Sequence, residues 1–346
     1  MLNASFSKYT LNFIEPGGTS RGVLHTKDTY FIRIQDEDQP DIVGLGECAL
    51  FRGLSVEDTP DYEKVLADCC WNFDKYEPDF RERFRNYPSI LMGIETALAD
   101  LLNGGKMQPF KSDFTERKGE IQINGLVWMG TKEKMRERME LKLRNGFRCI
   151  KLKVGAINLD DELELISAIR QRYSADDVTI RVDANGGFSP EEAPAVLDKL
   201  AKLGVHSIEQ PIKAGQMEAL AKLCANSPIP IALDEELIPI LDKAQRELFV
   251  SEVKPQFLVL KPSLHGGFSG TQEWIDAAEA NGIGWWITSA LESNVGLNAI
   301  AQWTYLKNNP LPHGLGTGGV FSNNTLPQLE LVGDRLRYAP QKPEWR

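Results

Sequence analysis

CIKLKV (149–154), TIRVDAN (179–185), SIEQP (207–211), IALDE (231–235) and FLVLKP (257–262) are short apolar runs, each with a charged residue near its carboxyl end. Those residues, Lys153, Asp183, Glu209, Asp234 and Lys261, follow one another at intervals of 25 to 30 residues, with helical apolar spacing between the runs. This alternation is the mark of a repeated βα unit. Side chains alternate faces along a strand, so Lys151 and Lys153 share one face while Ile150, Leu152 and Val154 share the other. Six ionisable groups on five successive parallel strands would be intolerable inside an ordinary sheet, because an unpaired buried charge is costly. They become tolerable at the open mouth of a closed barrel, where the carboxyl ends of all strands converge.

Working outward, EIQINGLV (120–127) reads as the first strand, and GWWITSALE (284–292) and PHGLGTGG (312–319) as the last strands with their loops. Between the strands, segments such as KEKMRERMELKLRNG and SGTQEWIDAAEANG have helical periodicity and end at Gly or Asn, as helix stops do. The count of eight strand candidates is that of a closed barrel. The fold class is therefore α/β, a (β/α)7β TIM-like barrel over 119–320. Residues 1–50 alternate apolar and polar positions around the turns EPGG (15–18) and DEDQPD (36–41), which suits an antiparallel sheet. PSILMGIETALADLL and the segment before it are helical, making 1–118 an α+β capping domain. The tail, 321–346, contains LELVGDRLRY and is expected to return to the capping domain as a strand or hairpin.

A chain of 346 residues with 42% hydrophobic content can bury a full core. Its net charge of −10 argues against nucleic acid or an anionic membrane as partner. Five cysteines without CxxC spacing suggest neither a disulfide framework nor a thiolate metal site, and point to a reducing cytoplasm. The N-terminal residues do not read as a signal peptide, and no apolar stretch reaches the ~20 residues of a spanning helix. Oligomeric state is left open.

Asp183, Glu209 and Asp234 offer only hard oxygen ligands, which suit octahedral Mg²⁺, with Mn²⁺ as a substitute. A cation among them could take up a substrate carboxylate and stabilise the charge that develops when the adjacent carbon loses a proton. The reaction class is proton abstraction next to a carboxylate. A lysine serves as base when its pKa is lowered, and a neighbouring ammonium acts in that direction. Lys153, nearer the strand end, is assigned the proton transfer and Lys151 the electrostatic support, with Lys261 facing them across the barrel.

With KLKV, RVDANG, IEQP, ALDEE and LKP in order at successive strands, the whole chain resembles the enolase superfamily, and within it the muconate-lactonising subgroup. LKPSLHGG followed by ITSALESNVGLNAIAQW is similar to the o-succinylbenzoate synthases of that subgroup. This resemblance implies a Mg²⁺-dependent dehydration of a cyclohexadiene carboxylate in menaquinone synthesis, through an enediolate. Lys153 would be base and then acid, and Lys261 would stabilise the intermediate. It also implies that the loop after strand seven cradles a second carboxylate of a dianionic substrate through backbone amides, which directs attention to Ser289, Leu291 and Ser293. Racemisation of N-succinylamino acids and muconate-type cycloisomerisation use the same constellation and stay as alternatives. No His stands in ITSALES, which disfavours mandelate-racemase chemistry. HGLGTGG replaces the Asp-x-Asp by which dipeptide epimerases hold an ammonium.

Around this set, Arg181 points inward but deeper and is expected to pair with the metal-site carboxylates in preference to substrate. Asn185 and Glu235 suit hydrogen bonding to the ligands, helix capping being the competing reading. Trp285 and Trp286 read as barrel packing, and His25, His206, His265 and His313 as isolated histidines. PGGTSRG (16–22) would form a mobile capping loop with Arg21 available to a substrate carboxylate. GECALFRGLSVED (46–58) would supply a second one, with Phe51 and Leu54 shielding the ring from water.

Overall fold

The computed structural model of the chain describes residues 1–19, 22–155 and 158–341. An antiparallel sheet opens it: β1 (Leu2–Thr19) pairs with β2 (Gly22–Asp36), and β2 with β3 (Val43–Cys48). The described part of 16–22 is a paired ribbon, with Gly17 opposite Leu24 and Gly18 opposite Val23. Arg21 lies outside the described residues. Four helices follow, α1 (Tyr62–Trp71), α2 (Phe73–Tyr76), α3 (Phe80–Arg83) and α4 (Pro88–Leu102). Eleven of the 15 residues of α4 are buried because it is sandwiched between this sheet and the remainder of the molecule. Gly44 and Gly46 on β3 make that close approach possible, since a Cβ at either would collide with the backbone carbonyl of Ala97 or Gly93.

After β4 (Glu120–Gln122) the chain alternates: β5 (Gly125–Val127), α5 (Lys132–Arg144), β6 (Cys149–Lys153), α6 (Leu159–Arg170), β7 (Thr179–Asp183), α7 (Ala193–Lys202) and β8 (Ser207–Glu209). It continues through α8 (Met217–Asn226), β9 (Ile231–Leu233), α9 (Lys243–Val253), β10 (Phe257–Leu260), α10 (Gly267–Ala280), β11 (Gly284–Ile287) and α11 (Asn294–Leu306). Strands β5 to β11 form one parallel sheet in sequence order. Their outward residues, among them Ile150, Leu152, Ile180, Val182, Ile208, Leu258 and Leu260, are buried beneath the helices in one continuous core. Each such side chain contributes about 1.5–3 kcal/mol on burial. Side-chain oxygens of Thr131, Asn158, Asp242 and Ser293 cap α5, α6, α9 and α11.

The eighth strand is reduced to two residues. His313 and Gly314 bridge β11 on one side and the entry to β5 on the other, through Gly314 N to Ile287 O (2.8 Å) and His313 N to Gln122 O (2.9 Å). These bonds close the ring. PHGLGTGG is too rich in Gly and Pro to extend further.

EIQINGLV also differs from the sequence reading, because only its second half enters the parallel sheet. Its first half, β4, pairs with β13 (Arg335–Tyr338), which is hairpinned to β12 (Leu329–Val332). The tail thus divides. Ser322 and Asn323 bond to Asn12 and Thr10 of β1, whereas the hairpin covers β4 and not the capping sheet. No described helix is long and apolar enough to cross a membrane.

Candidate active site

Strand register assembles the site. Lys153 lies opposite Asp183, and Asp183 opposite Glu209, so three charged residues form a row across β6, β7 and β8. One layer deeper Lys151 lies opposite Arg181. Asp234 and Lys261 directly follow the last residues of β9 and β10, whose Leu233 and Leu258 are paired. In a ring of eight positions β6 and β10 stand diametrically apart, which sets Lys153 and Lys261 on opposite sides of one mouth.

Both oxygens of Glu209 accept from Lys151 Nζ at 2.6 Å. Asp183 Oδ2 receives Lys151 (2.8 Å) and Lys153 (2.5 Å), and its Oδ1 accepts from Asn185 N. Lys261 Nζ donates to Asp234 Oδ2, while Asp234 Oδ1 is buried with no hydrogen-bond partner among the described residues. Among the described residues no three acids converge at metal-ligand separations, and a lysine stands against each of these three instead. Burial alone would raise the Asp183 pKa, but Lys151 and Lys153 outweigh it and hold that carboxyl well below the usual range. Glu209 moves the other way, pushed up by burial and by the Asp183 charge against the pull of Lys151. Burial disfavours the ammonium of Lys261, yet Asp234, Glu235 and Glu209 together raise its pKa.

Asn185 is no helix cap. Its Oδ1 accepts from Lys153 (2.5 Å) and its Nδ2 donates to Glu235 Oε1 (2.8 Å), so the pair bridges two sides of the mouth. Asn185 holds a left-handed backbone here (φ 43°), which asparagine tolerates better than most residues. Arg181 does not pair with the carboxylates. Its guanidinium lies 3.7 Å from the centre of the Trp286 ring and donates to Pro312 O at 2.7 Å. The row above already satisfies Asp183 and Glu209 with lysines, and the arginine one layer down finds an aromatic face and a carbonyl.

Trp286 therefore differs from Trp285. The first faces into the barrel with Ala232 and Val259 and lines the pocket floor; the second packs outward in the main core. Strand alternation could have separated them. Phe51 and Leu54 come from the first sheet's side to wall the pocket, joined by Trp128 and Thr317, which sequence patterning had not singled out. Ser289 and Leu291 line it as well, but the amides of their turn are already engaged. Ser289 N donates to Gly314 O, Ala290 N to Glu292 Oε2, and Leu291 N to Ser289 Oγ. This turn presents the hydroxyl pair Ser289–Thr317 (2.6 Å) to the pocket. Ser293 is outside the pocket lining; it caps α11 and bonds to Glu47 through both its amide (2.9 Å) and its hydroxyl (2.6 Å). His265 and His313 are buried, each accepting a backbone N–H through Nδ1. A broader groove lined by Pro190, Pro194, Met217 and Lys222, from α7 and α8, holds none of the mouth residues.

Comparison with known proteins agrees with this architecture. Residues 134–321 match the family model described as Enolase C-terminal domain-like. The chain is 42% identical to an o-succinylbenzoate synthase of Desulfotalea psychrophila over 97% of its own length and 98% of that protein's. It is 29% identical to an L-Ala-D/L-Glu epimerase of Bacillus subtilis over 88% of its length and 84% of that protein's. The crystal structure of MenC from Desulfotalea psychrophila superposes with a TM-score of 0.84 at 38% identity, covering 97% of this chain and 99% of that one.

Proposed function

Given that this chain belongs to the enolase superfamily, we propose that its barrel mouth catalyses the o-succinylbenzoate synthase reaction. This is the dehydration of 2-succinyl-6-hydroxy-2,4-cyclohexadiene-1-carboxylate to o-succinylbenzoate, a carbon–oxygen lyase step of menaquinone synthesis. The observation that carries this reading is the register-aligned row Lys153–Asp183–Glu209 with Lys261 across the mouth, in a chain similar end to end to such a synthase.

Asp183, Glu209 and Asp234 fit Mg²⁺ as cofactor. They are hard oxygen donors at consecutive strand ends, and Asp234 Oδ1 is a buried acceptor with no hydrogen-bond partner among the described residues. Held by these residues, the cation would supply positive charge for a substrate carboxylate, and Lys153 and Lys261 would no longer have to neutralise those acids. Lys153 Nζ takes the proton from the ring carbon bearing the carboxylate and returns it to the departing hydroxyl, which leaves as water. Lys261 holds positive charge on the opposite face of the enediolate. Asn185 orients Lys153 through the 2.5 Å bond and ties it to Glu235. Phe51, Leu54 and Trp286 keep water from the ring. The hydroxyls of Ser289 and Thr317 lie on the wall available to the succinyl arm.

The test is a steady-state assay of purified protein with the cyclohexadiene carboxylate beside N-succinylamino acids and dipeptides. Dehydration is expected to dominate. Efficient epimerisation of dipeptides with no dehydration would sink the assignment, and racemisation alongside dehydration would reveal one site serving both.

A further inference from the structure

The turn that carries Lys261 out of β10 is closed by a histidine. Lys261 lies beyond the last ladder pairs of its strand, Leu258 with Leu233 of β9 and Leu260 with Ile287 of β11. Its amide is taken by a side chain, donating to Nδ1 of His265 at 3.0 Å. Its carbonyl accepts from Leu264 N (2.8 Å) and His265 N (3.0 Å). Both backbone groups of the lysine are thus tied into one short turn.

His265 is itself held from outside. Its carbonyl accepts from Arg246 Nη2 (3.0 Å), and that guanidinium, 1% exposed on α9, also donates to Gly270 O (2.7 Å) and Ile240 O (3.0 Å). A Cβ at Gly270 would collide with the His265 carbonyl, so α10 approaches as closely as glycine permits. The imidazole is 1% exposed, beside Trp274. Burial and the Arg246 charge hold its pKa well below the usual range, so the ring is neutral, and a neutral ring that accepts at Nδ1 carries its proton on Nε2. Nε2 is buried with no hydrogen-bond partner among the described residues. An unmatched buried donor is costly, and a leucine would fill much of the same space without that cost. What a leucine lacks is the acceptor.

We propose that His265 is a positioning residue for Lys261: by accepting the Lys261 amide through Nδ1 it fixes the end of β10, and with it the place in the mouth that the Lys261 ammonium reaches. The bond stands independently of the reaction; its effect on rate rests on the functional reading above. His265→Leu leaves the Lys261 amide without its acceptor, so the strand end shifts to find another. His265→Asn sets an amide oxygen one bond beyond Cγ, where Nδ1 stands, and keeps the acceptor.

Three measurements test this. Amide exchange followed by NMR, without substrate, should show the Lys261 amide exchanging at least about tenfold faster in His265→Leu than in the unaltered protein or in His265→Asn. Steady-state dehydration should show kcat lowered at least about tenfold in His265→Leu with KM within about threefold, and kcat within about threefold of the unaltered protein in His265→Asn. Packing alone predicts the opposite order, since leucine suits an apolar site better than asparagine; activity that follows the thermal midpoints of the two variants would overturn the positioning role. In a Lys261→Ala background, His265→Leu should cost less than about threefold in residual kcat, and the full loss there would overturn action through Lys261. Unchanged exchange in His265→Leu would overturn the bond. So would a proton found on Nδ1 by long-range proton–nitrogen correlation of the His265 ring, a measurement on the unaltered protein that needs no variant to fold. If His265→Leu does not fold, His265→Ala takes its place with the same outcomes expected. Faster exchange in a protein whose unaltered form does not dehydrate the substrate would uphold the bond and refute the functional reading instead.

Discussion

Asp183, Glu209 and Asp234 at the barrel mouth and Glu47 and Glu95 in the seam beneath the N-terminal sheet are equally buried, at 1%, 3% and 1% exposed against 1% and 7%. What neutralises them differs. The mouth acids are held by lysine ammonium groups on flexible stems. Each seam acid is tied to a helix start by two backbone amides, Glu47 by Ser293 at the cap and Gly296 of α11 and Glu95 by Phe268 (2.6 Å) and Ser269 (3.1 Å) of α10, to which the hydroxyls of Thr29 and Ser293 add for Glu47 and Arg81 Nε (3.0 Å) for Glu95. Amides in a helix end cannot leave, whereas a lysine can swing to another partner or give up a proton. Burial of a carboxylate therefore marks a reactive centre only where its counter-charge can be exchanged; otherwise it marks a joint between parts of the fold.

The sharpest way to break this contrast is at the lysines. Lys153→Ala and Lys261→Ala should each lower kcat by roughly a thousandfold or more, the scale of a positioned acid–base group, while the thermal midpoint stays within a few degrees. Rates within tenfold of the unaltered protein would make the mouth a structural ion network like the seam. Lys151→Ala should cost less rate, since Lys151 sits one layer deeper against Glu209.

Exhaustive chelation comes next. It should abolish turnover while circular dichroism shows the fold retained, and Mg²⁺ or Mn²⁺ should restore more activity than Ca²⁺. Asp234→Asn should weaken cation affinity, read by calorimetry, on the order of a hundredfold. The same measurement on a seam variant should show no change.

Glu95→Gln supplies the converse. It should cost about 1–3 kcal/mol of stability in a denaturant melt, the scale of a buried donor losing its charged acceptor, with kcat/KM held within roughly threefold. A large rate loss at unchanged stability would erase the distinction between the two regions.

The smallest effect concerns Glu57, which lies between the two types. Its Oε1 accepts from Ser89 N at the start of α4, but its Oε2 is buried with no hydrogen-bond partner among the described residues, and burial pushes its pKa up to about 7. Unfolded, it titrates near about 4.3. Between those values the native state binds more protons than the unfolded chain, so this group makes stability fall as pH rises from about 4.3 to about 7. Glu57→Gln should remove that part of the slope, and a melt series across that window would detect it. An unchanged slope would place the titration elsewhere.

The six residues of the mouth were legible from the chain itself, because strand alternation places Lys151 with Lys153 on one face and a charged residue recurs at each of the next four strand ends. The seam was not. Ser293 sits in a segment that reads as a substrate loop, and nothing near it in sequence indicates that Glu47, 246 positions earlier, takes both its amide and its hydroxyl. Arg181 failed as an ion pair for a similar reason: its inward direction follows from periodicity, but its partners, Trp286 on β11 and the carbonyl of Pro312, lie far along the chain.

Period, register and residue chemistry are local properties, and from them the sequence determined the βα repeat, the inward charged face and the acid–lysine constellation. Tertiary structure alone decided how few residues close the ring at His313 and Gly314, and that the EIQ segment joins the tail hairpin. It also decided which buried carboxylates face exchangeable ammonium groups and which face fixed amides. Those outcomes depend on which distant groups meet once the core has packed, and a charged side chain far from its partner in sequence carries no local record of the one it will find.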